Sequence, residues 1–259
     1  MKVSENTVPV PSDLPQLEWP ARTRPVAPWW HTALIAAIIV GVSAFSGINA
    51  HNLPVIHGTR IRQYLLTIVW ELALALLTLW GIHIRRTPLR QLLGTRRNAA
   101  REWAFDLAIA IIFWILAMLL LGALSFLLRF LHLMPAQKVV AAIAPQTIPQ
   151  AIVWLVLCIT AGIVEEFVFR GYLLQQFSSL PVGGTRAKLI VGTLASSLLF
   201  GTAHGYEGIG GMIAITAYGA LFCILAIYRR SLRPGIIAHA WQDSFTGIVV
   251  AFLRNARMI

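Results

Sequence analysis

Acidic residues are scarce in this chain of 259 residues. Ten Asp and Glu stand against 21 Lys and Arg, and charged residues of both signs make up 12% of the total. Soluble domains carry about 25% charge, so a chain at half that density is not written to be covered by water. Cysteine is nearly as rare. Cys158 and Cys223 both lie in apolar runs, which leaves no basis for a disulfide framework or a cysteine metal centre and assigns both thiols to packing. Three familiar spellings of hydrolytic sites are also missing. No His is followed by Glu, so the HExxH zinc motif is absent, and no Gly-x-Ser-x-Gly elbow occurs. No acid inside an apolar run follows Tyr or Gly, as an intramembrane aspartyl protease requires. The first residues lack the charged stretch, short apolar region and small-residue cleavage site of a secretory signal, so no cleaved leader is expected.

What the chain does have is apolar length. Hydrophobic residues make up 58% of it, gathered in blocks near the ~20 residues that a helix needs to cross a bilayer. Seven such blocks are read, at 30–48, 64–84, 105–131, 148–174, 189–204, 209–228 and 236–253. The expected fold is therefore all-α, a polytopic integral membrane helical bundle of about seven transmembrane helices, with eight as the alternative. Three regions are expected: a Pro-rich disordered tail over 1–28, which holds six of the thirteen prolines; a three-helix transmembrane region over 29–147; and a transmembrane domain over 148–253. No internal repeat suggests a transporter built from duplicated halves. A net charge of +11 would point to nucleic acid in a soluble protein. Here it reads as basic loops meeting anionic lipid, and no nucleic-acid partner is expected. Placing the N-terminus in the cytoplasm puts fourteen Lys and Arg on that side and six on the other, with Arg85 to Arg101 the strongest marker, so that orientation is expected.

Six of the acids fall outside the apolar blocks or at their edges: Glu5, Asp13, Glu18, Glu102, Asp106 and Glu207. Four lie at depth: Glu71, Glu165, Glu166 and Asp243. An ionisable group there costs roughly 2.5–3.5 kcal/mol on insertion scales, which makes each a functional hypothesis by default. Glu71 stands alone in its block and is expected to pair with a neighbouring helix. Glu166 and Arg170 are four residues apart, on one helical face, in the favourable order for an ion pair. Glu165 is expected to point about 100° away from them. One acid is thus neutralised and the other is left over, and desolvation would tune that second carboxylate toward general-base work. His204 closes the fifth block, and His239 precedes Asp243 by four residues, so this carboxylate can hold the ring in one tautomer. Singly, each histidine is more often a packed or interfacial residue. Together with Glu165 they set a base, two imidazoles and an orienting acid on three apolar helices. His31, His51, His57, His83 and His132 flank blocks or occupy loops and are read as interfacial or solvated.

This spelling resembles the CPBP family, which includes CAAX prenyl endopeptidases of the Rce1 type and bacteriocin-immunity-like membrane proteins. Its EExxxR motif is met by Glu165, Glu166 and Arg170; its FxxxH motif by Phe200 and His204; and its final motif, His followed four later by Asn or Asp, by His239 and Asp243. The resemblance covers about residues 150–252 in matching order and spacing. It implies an intramembrane endopeptidase of the bacterial cytoplasmic membrane, acting on a membrane-associated or CAAX-like lipidated peptide amid membrane lipid. In that scheme Glu165 would activate water, with His204 sharing or positioning it; Glu166 and Arg170 would support the base; His239 and residue 243 would stabilise the oxyanion. Asp243 departs from an Asn at that position, because an ionised carboxylate only accepts hydrogen bonds. It is expected to hold His239, or to carry a proton. A divalent metal such as zinc on Glu165, His204 and His239 is the other mechanism left open. A non-catalytic scaffold or immunity protein is the alternative function, with a transporter less favoured.

Overall fold

The computed structural model describes Trp19 and residues 24–49, 60–94, 99–134 and 142–255. Most of the Pro-rich segment, with Glu5, Asp13, Glu18, His51, His57 and Lys138, lies outside the described residues. The described chain is helical: α1 (Trp29–Asn49), α2 (Arg60–Ile84), the short α3 (Leu89–Leu93), α4 (Ala100–Phe130), α5 (Ile148–Glu165), a π-helix (Glu166–Leu173), α6 (Leu174–Phe177), α7 (Thr185–Ala203), a 3₁₀ turn (Gly205–Glu207), α8 (Gly208–Arg229) and α9 (Arg233–Asn255). Counting α5 to α6 as one run, seven long helices correspond to the seven apolar blocks. Six of them are long and apolar enough to cross a membrane, and α7 is not among these six. Arg186 and Lys188 open α7, and its middle carries Ser196 and Ser197, which are fully or almost fully buried and face protein.

Local chemistry sets the helix ends. Thr147 caps α5 by accepting from the Gln150 amide, and Pro149 stands in the first turn, where its missing N–H costs nothing. At the ends of α2 and α4, Arg86 and His132 take left-handed backbone, with φ 52° and 57°. Both close Schellman turns, through Thr87 N–H to Ile82 C=O at 3.1 Å and Leu133 N–H to Leu128 C=O at 2.8 Å.

α5 is the centre of the bundle, packed between α2 and α9, while α7 lies along α8 and α4 covers α8 and α9. One apolar core joins Ile35 and Ile39 of α1 and Leu74 and Ile82 of α2 to Phe167, Val168 and Leu173 of the π-helix, so the N-terminal helices and the motif-bearing segment are folded together. Asp106 of α4 ties the α8–α9 connection: it meets Arg229 at 2.5 Å and Arg233 at 3.2 Å, and Arg229 also meets Glu102 at 2.7 Å. The reading of His31 as interfacial is corrected here. The ring is fully buried, lying against Gly81 and Trp80 of α2 and Tyr172 of the π-helix; Nε2 donates to the Leu77 carbonyl at 2.9 Å and Nδ1 accepts from Tyr172 at 3.2 Å. Just upstream, the Gln176 side chain accepts from the amides of Val26 and Ala27 at 2.8 and 3.1 Å.

Small residues let the helices approach. A Cβ on Gly201 would meet the Met212 carbonyl oxygen at 2.5 Å, so α7 and α8 are in backbone contact there. Gly201→Leu is expected to force these helices apart at a cost of about 1–3 kcal/mol, seen as a lower Tm of the purified protein in detergent.

Candidate active site

The motif-bearing segment does not continue α5 as an α-helix. From Glu166 to Leu173 it is π-helical, and all eight residues are buried. Segments of this kind lose the i→i+4 register and recur at functional sites. Outside partners hold it: Ser196 of α7 donates to the Phe169 carbonyl at 2.6 Å, and the Tyr172 hydroxyl lies 2.8 Å from Thr32 and 3.2 Å from His31.

Within this segment Glu166 and Arg170 form an ion pair at 3.0 Å with both side chains fully buried. Arg170 also donates to the Gly219 carbonyl at 3.3 Å, and its guanidinium lies over Phe200 at 4.2 Å and Phe222 at 4.9 Å. Aromatic faces replace some of the lost hydration of a cation. Gly235 of α9 closes the other side, where a Cβ would stand 2.8 Å from Glu166 Oε2.

His239 is the hub. Its Nδ1 lies 3.1 Å from Glu166 Oε1, and since a paired carboxylate can only accept, this nitrogen carries a proton. Its Nε2 lies 3.6 Å from Glu165 Oε2 and 3.6 Å from Asp243 Oδ2, longer than hydrogen bonds but close enough for strong electrostatic contact. The ring stacks on Phe222, centroids 5.2 Å apart, and meets the edge of Phe200 at 6.0 Å. Glu165 and Glu166 reach the same imidazole, one at each nitrogen, and the ring spans the gap between them. His204 ends α7 beside this cluster: its Nδ1 donates to the Phe200 carbonyl at 2.9 Å, leaving Nε2 as the basic nitrogen, and its ring is 5.1 Å from that of Phe200. The six residues singled out in the sequence thus converge on one polar focus, with Phe200 between the two histidines. Glu165 Oε2 is buried and has no hydrogen-bond partner.

Residues 147–245 match the family model of the Rce1-like type II CAAX prenyl endopeptidases. They form an Rce1-like domain. No curated protein and no solved structure matches the chain. The Rce1-like domain runs from the cap of α5 into α9, and its family is one of membrane proteases.

Three further residues reach the site of the Rce1-like domain. Glu207 and Tyr206, on the 3₁₀ turn directly after His204, are hydrogen-bonded to each other; Tyr206 is in electrostatic reach of Glu165 and Asp243, and Glu207 of Asp243. Placing Glu207 in a loop gave no sign of this; its nearness to the FxxxH motif was the available signal. Glu71 is the third. It is buried in α2, and the signal for it was a solitary acid in an apolar block. Among the described residues no group of three or more His, Cys, Asp and Glu is arranged to hold a metal ion. His239 has a carboxylate at each ring nitrogen, whereas His204 donates Nδ1–H to a backbone carbonyl and keeps Nε2 open.

Removing one member of a buried ion pair strands the other. Arg170→Met is expected to cost about 3–5 kcal/mol, read as a lowered Tm, and adding Glu166→Gln should recover part of that loss.

Proposed function

We propose that the chain is an intramembrane endopeptidase that hydrolyses a peptide bond in a membrane-associated, CAAX-like substrate, with Glu165 as general base. The observation that carries this reading is the buried Oε2 of Glu165, which has no hydrogen-bond partner and lies 3.6 Å from His239 Nε2, beside the Glu166–Arg170 ion pair. A buried carboxylate oxygen without a donor is the place for a water, and a carboxylate one step from an imidazole can accept that water's proton.

The steps use the chain's own side chains and one water. Glu165 takes a proton from the water as its oxygen attacks the peptide carbonyl, and His204 Nε2 orients the water from the other side. A C–O bond forms and the carbonyl oxygen becomes an oxyanion. His239, protonated at both nitrogens, donates to it from Nε2, since Nδ1–H is committed to Glu166. Fixed donors of this type contribute about 2.7–4 kcal/mol to the barrier. Asp243 keeps that ring edge turned inward, which is work that an acceptor can do. The C–N bond then breaks and the proton held by Glu165 passes to the leaving amine. The apolar helices around the site support a membrane setting, the uneven distribution of basic residues supports an N-terminus in the cytoplasm, and a lipid-anchored peptide would reach the site from within the bilayer. Residues 148–253 act as the catalytic domain and 29–147 as its support.

The test is cleavage of an internally quenched, prenylated CAAX reporter peptide by the protein in proteoliposomes. Glu165→Ala and His204→Ala are each expected to lower the rate by about 10²–10⁴ while thermal unfolding stays close to that of the parent. Full activity in both variants would overturn the reading. Comparing membrane-protein termini in cells carrying the parent or Glu165→Ala would then identify the natural substrate.

A further inference from the structure

Glu71 lies outside the Rce1-like domain, in the middle of α2. The buried stripe of that helix includes Tyr64, Glu71 and Thr78, spaced by seven, and this stripe faces α5. Two fixed points set the register of the pair. Tyr64 packs its ring on Trp154 of α5, centroids 5.3 Å apart. At the other end His31 bridges the Leu77 carbonyl and the Tyr172 hydroxyl of the π-helix. The two helices therefore run parallel, and Glu71, midway between Tyr64 and Leu77, comes level with the last turn of α5, where Glu165 sits. Its surroundings agree with that register: Glu165 from α5 and His239 and Asp243 from α9 are the charged groups it faces. Trp154 joins these elements from behind, donating its indole N–H to the Asp243 carbonyl at 3.3 Å.

Only 6% of Glu71 is exposed, and its Oε2 has no hydrogen-bond partner. A buried carboxyl oxygen without a donor works against stability, as does a third carboxylate beside Glu165 and Asp243. A leucine would fill this stripe at less cost. A residue that opposes folding yet faces the general base is explained by what it does to that base.

We infer that Glu71 is a positioning residue of the active site, acting through the Glu165–His239 pair and extending the site beyond the Rce1-like domain to the N-terminal helices. The inference rests on the endopeptidase reading above. Its carboxyl group closes the α2 side of the polar focus and fixes where the Glu165 carboxylate, and hence the attacking water, can lie. Misplacing a reacting group by about 1 Å can lower a rate by ~10²-fold.

Glu71→Gln and Glu71→Leu should be purified as full chains and assayed on the prenylated CAAX reporter in proteoliposomes, beside the parent and Glu165→Ala. Both variants are expected to fold, with a Tm equal to or above that of the parent, and to lose about 10- to 100-fold in kcat with KM within about twofold. Parent-like kcat in both variants, or loss of the fold in both, overturns the inference while leaving the endopeptidase reading intact. An inactive parent, or an active Glu165→Ala, overturns that reading and the inference with it. A raised KM with unchanged kcat would assign Glu71 to substrate binding and also overturn the positioning role.

Discussion

The Glu166–Arg170 pair is the constraint on which the rest of the molecule depends. A guanidinium and a carboxylate taken wholly out of water need compensating contacts, and here four elements supply them, while Glu166 Oε2 and Arg170 Nε keep no hydrogen-bond partner. The π-helix supplies both charges. α7 supplies Phe200 as a face for the cation, α8 supplies Phe222 and the Gly219 carbonyl, and α9 supplies His239 and the close approach of Gly235. Each of these helices is held at a defined height and rotation by a single pair of charges. That precision is what an apolar bundle lacks when only lipid-like side chains meet each other.

From this follows a division of labour between two adjacent and chemically identical residues. Glu166 meets both Arg170 and His239 Nδ1 through its Oε1, while its Oε2 lies against Gly235. Glu165 keeps an oxygen with no donor and faces the opposite nitrogen of the same ring. His239 thus reads both carboxylates at once. Its orientation is set by the structural one and its free edge is presented to the reactive one.

The polar cluster was legible in the sequence because charge is so rare in this chain that any acid at depth had to be explained. The i,i+4 spacing of Glu166 with Arg170 and of His239 with Asp243 translated directly into proximity. The π-helix was not legible, since that spacing joins the charges as well in an α-helix and apolar periodicity is too coarse to report one widened turn. Nor was the company of Glu71, whose neighbours come from α5 and α9 through the register of two parallel helices rather than through local order. His31 misled for a related reason. A histidine at the edge of an apolar block looks interfacial until α2 and Tyr172 are seen to enclose it. α7 was read as apolar like the others, but Ser196 and Ser197 are buried against protein and the helix is not among those long and apolar enough to span a membrane.

The connection between α8 and α9 has a bearing on how the molecule is made. Only Arg230, Ser231 and Leu232 separate the end of one helix from the start of the next. Three residues leave no slack for the two to be handled apart, so they enter the bilayer as one hairpin. This matters for α9, because His239 and Asp243 make it a poor candidate for insertion alone. Its antiparallel neighbour α8 carries no acid, and Phe222 of that neighbour stacks on the imidazole of His239, so the hairpin brings its own apolar cover for that ring.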